Sequence, residues 1–499
     1  MNSCSKTHVL DHHFLKVPSH VFEESVESTL KVIQNLTYVI TSHLHHHDDH
    51  DLDQLSHHHA ISDCVDLLGS CTQLLNWSLH GIHDPKGYEQ FYGTGDVRSD
   101  IRTWFSAALA NQATCMEGLK DAKTIVVDNM RSSSVLENNL NELLTKSLIN
   151  LLNMVQVQQN ILFPRSKHYN HVLNRNITEH FRYPNVTVAQ DGSGNFTKIM
   201  DAVLSAPKHS QRHYVIFVKR GLYREYVDID SNTWNLVMIG EGRDLTVVTG
   251  NRSYGGGWPT YHTATFAVTG QGFIAINMGF ENTAEPNNHQ AVALRSNSDC
   301  SAFYQCKFIG HQDTLYAHSN RQFYKKCRIS GTVDFIFGRA KAVFQNCHIL
   351  SRLNRVEGKN TITANGRNFS ESNSGFSFQN CTIFRDSIVK NSVRATTPTY
   401  LGRPWGKYSR TIFMQTYMSN IINSEGWMDW EGGTYRLDTL YYGEYKNSGP
   451  GSELGGRVKW PGFHVITKSS VASAFTVAEF IQGDSWLPFT MIPYVGGLG

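Results

Sequence analysis

The second half of the chain repeats one short phrase: "INMGF" (276–280), "YQCKF" (304–308), "KKCRI" (325–329), "QNCHI" (345–349) and "QNCTI" (379–383). The cysteines of the last four stand 21, 20 and 34 residues apart, a fixed period interrupted by one insertion. Periods of this size mark solenoids. The surrounding runs are short, β-branched and aromatic, broken by Gly and Asn and without helical spacing, which selects a parallel β-helix over helical or leucine-rich repeats. In such a coil, residues one period apart stack at the strand spacing of roughly 4.8 Å. Asp313 and Asp334 are 21 residues apart and are therefore expected as neighbours on adjacent coils. That geometry raises one carboxyl pKa and leaves the other group ionised. Spacing alone is equally compatible with two hydrogen-bonded turn aspartates.

Before residue 183 the texture is helical. Ile101, Trp104, Phe105, Ala108 and Leu109 share one face, as do Leu136, Leu140, Leu143, Leu144, Leu148, Leu151, Leu152 and Val155, and similar segments cover 20–42 and 54–79. Four helices with short connections make a bundle. At 499 residues the chain exceeds one ordinary core. The expected organisation is multidomain: an all-α four-helix bundle over 15–160, a linker over 161–182 and an all-β right-handed parallel β-helix over 183–495. The polar stretch "PRSKHYNHVLNRNITEHFR" (164–182) has no clear period.

Charge divides along the same boundary. Residues 1–150 hold 10 Lys+Arg against 19 Asp+Glu, leaving 35 against 24 for the remainder. An acidic bundle thus precedes a basic β-helix, whose partner class by charge is an acidic polymer, polyuronate or nucleic acid. No run approaches the roughly 18 apolar residues of a membrane span. The start lacks the basic tip and apolar stretch of a secretory signal, yet sequons at Asn35, Asn76, Asn176, Asn185, Asn195, Asn251 and Asn368 favour export. Together these suggest a truncated N-terminus. None of the nine cysteines forms a CxxC pair, so zinc is not expected, and disulfides or buried thiols remain open. Fourteen of the 25 histidines fall in 1–150, including "HLHHHDDHD" (43–51) and "SHHHA" (56–60), which read as solvated interhelix loops rather than a metal site.

Five further blocks decide the class. "GLYREYV" (221–227), "HQAVALR" (289–295), "GHQDTL" (310–315), "DFIFG" (334–338) and "LGRPWGKYSRT" (401–411) resemble, in order, the signature blocks of plant pectin methylesterases (pectinesterases). "SDCVDLL" (62–68) and "TWFSAALANQATCMEGL" (103–119) resemble the pectin methylesterase inhibitor domain that precedes the catalytic domain in many members as a pro-region. The resemblance implies hydrolysis of galacturonate methyl esters in pectin to methanol, in the plant cell wall, as a secreted enzyme without cofactor or metal. Asp334 matches the family nucleophile and Asp313 its acid/base; Gln290 and Gln312 match its oxyanion donors. Arg403 would hold Asp334 ionised and turned. Tyr223, Phe337, Trp405 and Trp427 are expected to line the substrate groove. The implied partners are methylated homogalacturonan and the chain's own inhibitor-like domain, with no nucleic acid or membrane, in a monomer. The implied disulfides are Cys64–Cys115, Cys300–Cys327 and Cys347–Cys381, whereas simple coil stacking would pair Cys306 with Cys327.

The chain departs from the family twice. His311 stands where members usually carry Tyr or Phe, which reads as a ring-for-ring replacement able to touch the pH profile. The basic processing motif between the domains is not evident, and only "VLNRN" (172–176) lies there, so proteolytic release is not expected. A polyuronate glycosidase also uses paired carboxylates on a β-helix, but the "GHG" and "RIK" elements of polygalacturonases are absent. A binding protein would need damaged catalytic positions, and all five are intact.

Overall fold

The computed structural model describes residues 14–42, 52–84, 93–122, 131–157, 177–386, 397–434 and 436–499. Helices α1 (Ser19–Thr41), α2 (Leu52–His83), α3 (Val97–Ala122) and α4 (Arg131–Met154) form the N-terminal bundle. Their apolar faces meet around Phe22, Leu67, Trp104, Phe105 and Leu148, and a Cys64–Cys115 disulfide ties α2 to α3. Leu136 and Leu143 are about half exposed. They belong to the flank of α4, because an apolar stripe takes only three or four positions per two turns. "SHHHA" is helical, not a loop: it lies in α2, and His59 packs on Trp258 and His262 of the second domain at 4.8 and 4.3 Å. The other His-rich tract lies outside the described residues, as do Asn176 and "VLNRN". The sequons at Asn35, Asn76, Asn185, Asn195 and Asn251 are exposed.

From Val186 onward the chain coils into three parallel sheets of eleven, seven and eight strands, the right-handed parallel β-helix. The seven-stranded sheet carries the chemistry. In chain order its strands are β1 (Val227–Ile229), β2 (Phe266–Val268), β3 (Leu294–Ser296), β4 (Leu315–Ala317), β5 (Ile336–Gly338), β6 (Asn360–Asn365) and β7 (Thr399–Gly402), each paired with the next.

The repeated phrase marks a corner of each coil. Asn277, Gln305, Lys326, Asn346, Asn380 and Gln415 all have positive φ, between 52° and 56°. These residues turn the chain from the eleven-stranded sheet into the eight-stranded one. Asn tolerates this left-handed conformation better than other residues with a side chain, which explains the recurring Asn. The following residue points inward. Beside it, Phe303, Tyr324, Phe344, Phe378 and Phe413 stack in one file with centroids 4.5–4.8 Å apart, and burying each ring stabilises the fold by about 1.5–3 kcal/mol.

Cys306, Cys327, Cys347 and Cys381 form a parallel file of free thiols, and Cys300 is also free. The pairs Cys300–Cys327 and Cys347–Cys381 therefore do not form, nor does Cys306–Cys327. All four thiols of this file donate to carbonyls of the preceding coil: Cys306 to Ala275, Cys327 to Phe303, Cys347 to Tyr324 and Cys381 to Phe344, at 3.3–3.4 Å. In-register parallel strands hold Cβ atoms a full strand spacing apart and pointing the same way, whereas a disulfide needs Cβ atoms about 3.8 Å apart.

Candidate active site

The register Leu315↔Ile336 puts Asp313 and Asp334 at equivalent positions of successive coils, just before β4 and β5. Both have positive φ, 62° and 50°. Each aspartate thus forms a second left-handed corner, and its carboxyl leaves the wall of the coil instead of joining the alternation of a strand. That is why a carboxylate can sit inside the apolar run "VDFIF". Gly338 completes the block with φ 128°, where a Cβ would lie 1.9 Å from the Ala317 carbonyl oxygen.

Asp334 is fixed from two sides. Arg403, one residue past β7, donates through Nε to Oδ1 and Oδ2 at 2.9 and 3.0 Å, and through a terminal nitrogen to Oδ2 at 2.7 Å. Arg403 also lies 4.4 Å over the Trp430 ring. Thr361 of β6 accepts the Asp334 backbone N–H at 2.9 Å and donates its hydroxyl to Oδ1 at 2.6 Å. The sequence reading missed Thr361, although it stands one coil beyond Asp334 in the polar-apolar run "NTITAN", where a hydroxyl facing the previous coil was legible.

Asp313 is 7 % exposed and, among the described residues, has no such cation of its own. Burial first, and then the negative charge of Asp334, push its carboxyl well above the usual range against a smaller pull from Arg403. The two carboxyls therefore differ in kind: one is clamped by a guanidinium and the other favours its protonated form. His311 is held neutral, its pKa driven down to about 4 by burial and then by Arg352, so it carries no charge into the site at mildly acid pH.

Gln290, Gln312, Asp313, Asp334, Phe337, Arg403 and Trp405 line one cavity of about 490 Å³. Phe337 stacks on Tyr316 at 4.1 Å, and Trp405 follows at 6.2 Å. Gly366 makes room for this indole, since a Cβ there would meet Trp405 at 2.6 Å. The other two expected groove residues are elsewhere. Tyr223 is fully buried in the β-helix core, its hydroxyl donating to the Lys219 carbonyl at 2.9 Å. Trp427 is 1 % exposed, stacked on Tyr442 at 4.0 Å with Nε1 donating to Glu444. Both are core aromatics, because their positions face into the coil.

The opposite wall of the cavity is the helical bundle: Asp63, Thr114, Glu117, Lys120 and Asp121 face the carboxylates. Thr114 Oγ1 contacts His318 at 2.9 Å and Arg339 at 3.2 Å, and Asp63 bonds His262 at 3.0 Å. Between the same two domains, the fully buried Arg321 bridges Asp299 of the β-helix and Asp100 of α3, while Trp104 Nε1 donates to Asp299 at 3.1 Å. The acidic and basic halves meet here charge to charge.

A pectinesterase family model matches residues 185–484, and one for the plant invertase/pectin methylesterase inhibitor matches 2–154. A pectinesterase/pectinesterase inhibitor from Prunus persica is 46% identical over 100% of this chain and 93% of its own length. A probable pectinesterase/pectinesterase inhibitor from Arabidopsis thaliana is 44% identical over 97% of this chain and 95% of its own. Among solved structures, pectin methylesterase from carrot matches with TM-score 0.62 and 48% identity, covering 63% of this chain and 98% of that one.

Proposed function

The chain belongs to the pectinesterase family, with an inhibitor-type domain ahead of its β-helix, and from that premise we propose how its residues hydrolyse the methyl esters of galacturonate in pectin. Asp334 is the nucleophile. Arg403 and Thr361 hold its carboxylate turned toward the cavity, and attack on the ester carbonyl carbon forms an anhydride-like acyl-enzyme. Asp313, protonated, gives its proton to the departing methoxide, releasing methanol. As a base it then takes a proton from water, which opens the anhydride, freeing the galacturonate and regenerating Asp334. The amide N–H groups of Gln290 and Gln312 donate to the oxyanion formed in both steps. Neutral donors suit this place, because a cation would favour the ionised form of Asp313 and weaken it as an acid. Phe337 and Trp405 are the walls for sugar faces.

The observation that carries this reading is the asymmetry of the carboxyl pair: Asp334 is bound by three guanidinium contacts, and Asp313 is buried with no cation of its own among the described residues. We further assign a pro-region over 15–160, a linker over 161–182 and a catalytic unit over 183–495, acting as a monomer secreted to the cell wall. In the closed arrangement the bundle roofs the cleft, so substrate enters when the two units part. One assay tests the chemistry: methanol, reducing ends and unsaturated products are measured together from methylated pectin. Methanol alone is expected, and Asp334→Asn should abolish it. Reducing ends without methanol would refute the esterase assignment.

A further inference from the structure

Three arginines on the bundle-facing part of the β-helix find carboxylates within their own domain. Arg403 has Asp334, Arg321 has Asp299, and Arg295 approaches Asp228 at 3.9 Å. Arg339 differs. Among the described residues its own domain offers the Gly366 carbonyl at 3.1 Å and the Trp405 ring, 4.0 Å beneath its guanidinium. Among the described residues its carboxylate partner comes from the bundle: Glu117 of α3, with Thr114 on the adjoining nitrogen. Without the bundle, the guanidinium over this indole would keep its Gly366 bond and have no carboxylate among the described residues. A stacked, planar fork of this kind recognises carboxylates through paired hydrogen bonds.

Arg339 stands two residues beyond Phe337, along the wall from the carboxylate pair. Each turnover of the proposed reaction leaves a carboxylate on a sugar adjoining the next ester. We propose that Arg339 seats the free carboxylate of a uronate neighbouring the sugar under attack, and that Glu117 and Thr114 occupy this seat when the bundle is closed. The substrate class is thus partly de-esterified polyuronate, and the bundle competes for the site by imitating its charge. This inference rests on the pectin-esterase reading.

The probe is unesterified oligogalacturonate, titrated calorimetrically into the full chain. Glu117→Gln should tighten binding by about tenfold, equivalent to about 1.4 kcal/mol. Glu117→Gln with Arg339→Gln should lose that gain, and Glu117→Gln with Arg339→Lys should keep part of it. If Glu117→Gln binds no tighter than the native chain, or the pair with Arg339→Gln binds as tightly as Glu117→Gln alone, the seat is not there. The second outcome would mean that Glu117 merely latches the two domains. Methanol release from highly esterified pectin, measured on the same native protein, judges the esterase reading separately.

Discussion

Asp313 illustrates how a buried carboxyl can serve catalysis at the expense of the fold. With its native pKa raised above the unfolded value of about 3.9, Asp313 keeps its proton in the native state at pH values where the unfolded chain has already released it. Its contribution to stability is therefore fully present below the unfolded pKa and lost as pH rises through the native one. Asp313→Asn, which cannot ionise, should abolish methanol release and yet raise the unfolding midpoint at neutral pH, with the gap closing below about pH 4. Denaturant melts at several pH values check this, and a variant less stable than native at pH 7 contradicts it. Thr361 tests positioning instead of charge. Thr361→Val should lower kcat by about 10- to 100-fold with KM little changed, since small misplacements of a reacting group cost on that order. Thr361→Ser, which restores the hydroxyl, should recover most of the loss; equal losses in both variants would argue for a packing role.

The coil is the natural unit at the next scale, and it explains what could be read from the chain. The period was legible because each corner demands a residue that tolerates positive φ and the next position demands an inward one, leaving "NC" and its variants at regular intervals. The same period paired Asp313 with Asp334. It could not say which aromatics face inward, because a coil with three sheets and unequal corners has no simple alternation. Tyr223 and Trp427 were misplaced for that reason. Of the three implied disulfides Cys64–Cys115 forms and the two placed in the β-helix do not, since pairing depends on the direction of Cβ and sequence reports only order. Alkylation of the denatured, unreduced protein followed by mass spectrometry should label Cys71, Cys300, Cys306, Cys327, Cys347 and Cys381 and leave Cys64 and Cys115 joined. An intact 347–381 bridge would overturn the thiol file.

For the whole molecule, the decisive contact is between domains. The charge split at residue 150 pointed to an acidic polymer as partner; it did not reveal that the chain's own acidic face would cover the cleft, because the acids responsible come from turns of α2 and α3 far apart in sequence. Arg321 holds carboxylates of both domains at full burial. Arg321→Met would take the shared cation from two buried carboxylates and should cost about 3–5 kcal/mol, seen as an earlier first transition in denaturant; an unchanged midpoint would show the bridge to be dispensable. The roof also has a place in time. The bundle precedes the β-helix in the chain, is built from local contacts that form quickly, and leaves the ribosome first. The coils, whose pairings span 20 residues or more, then wind up against a finished surface. The cleft is therefore completed with its cover already waiting, and on the proposed function the order of synthesis would keep the hydrolase covered from the moment its cleft forms.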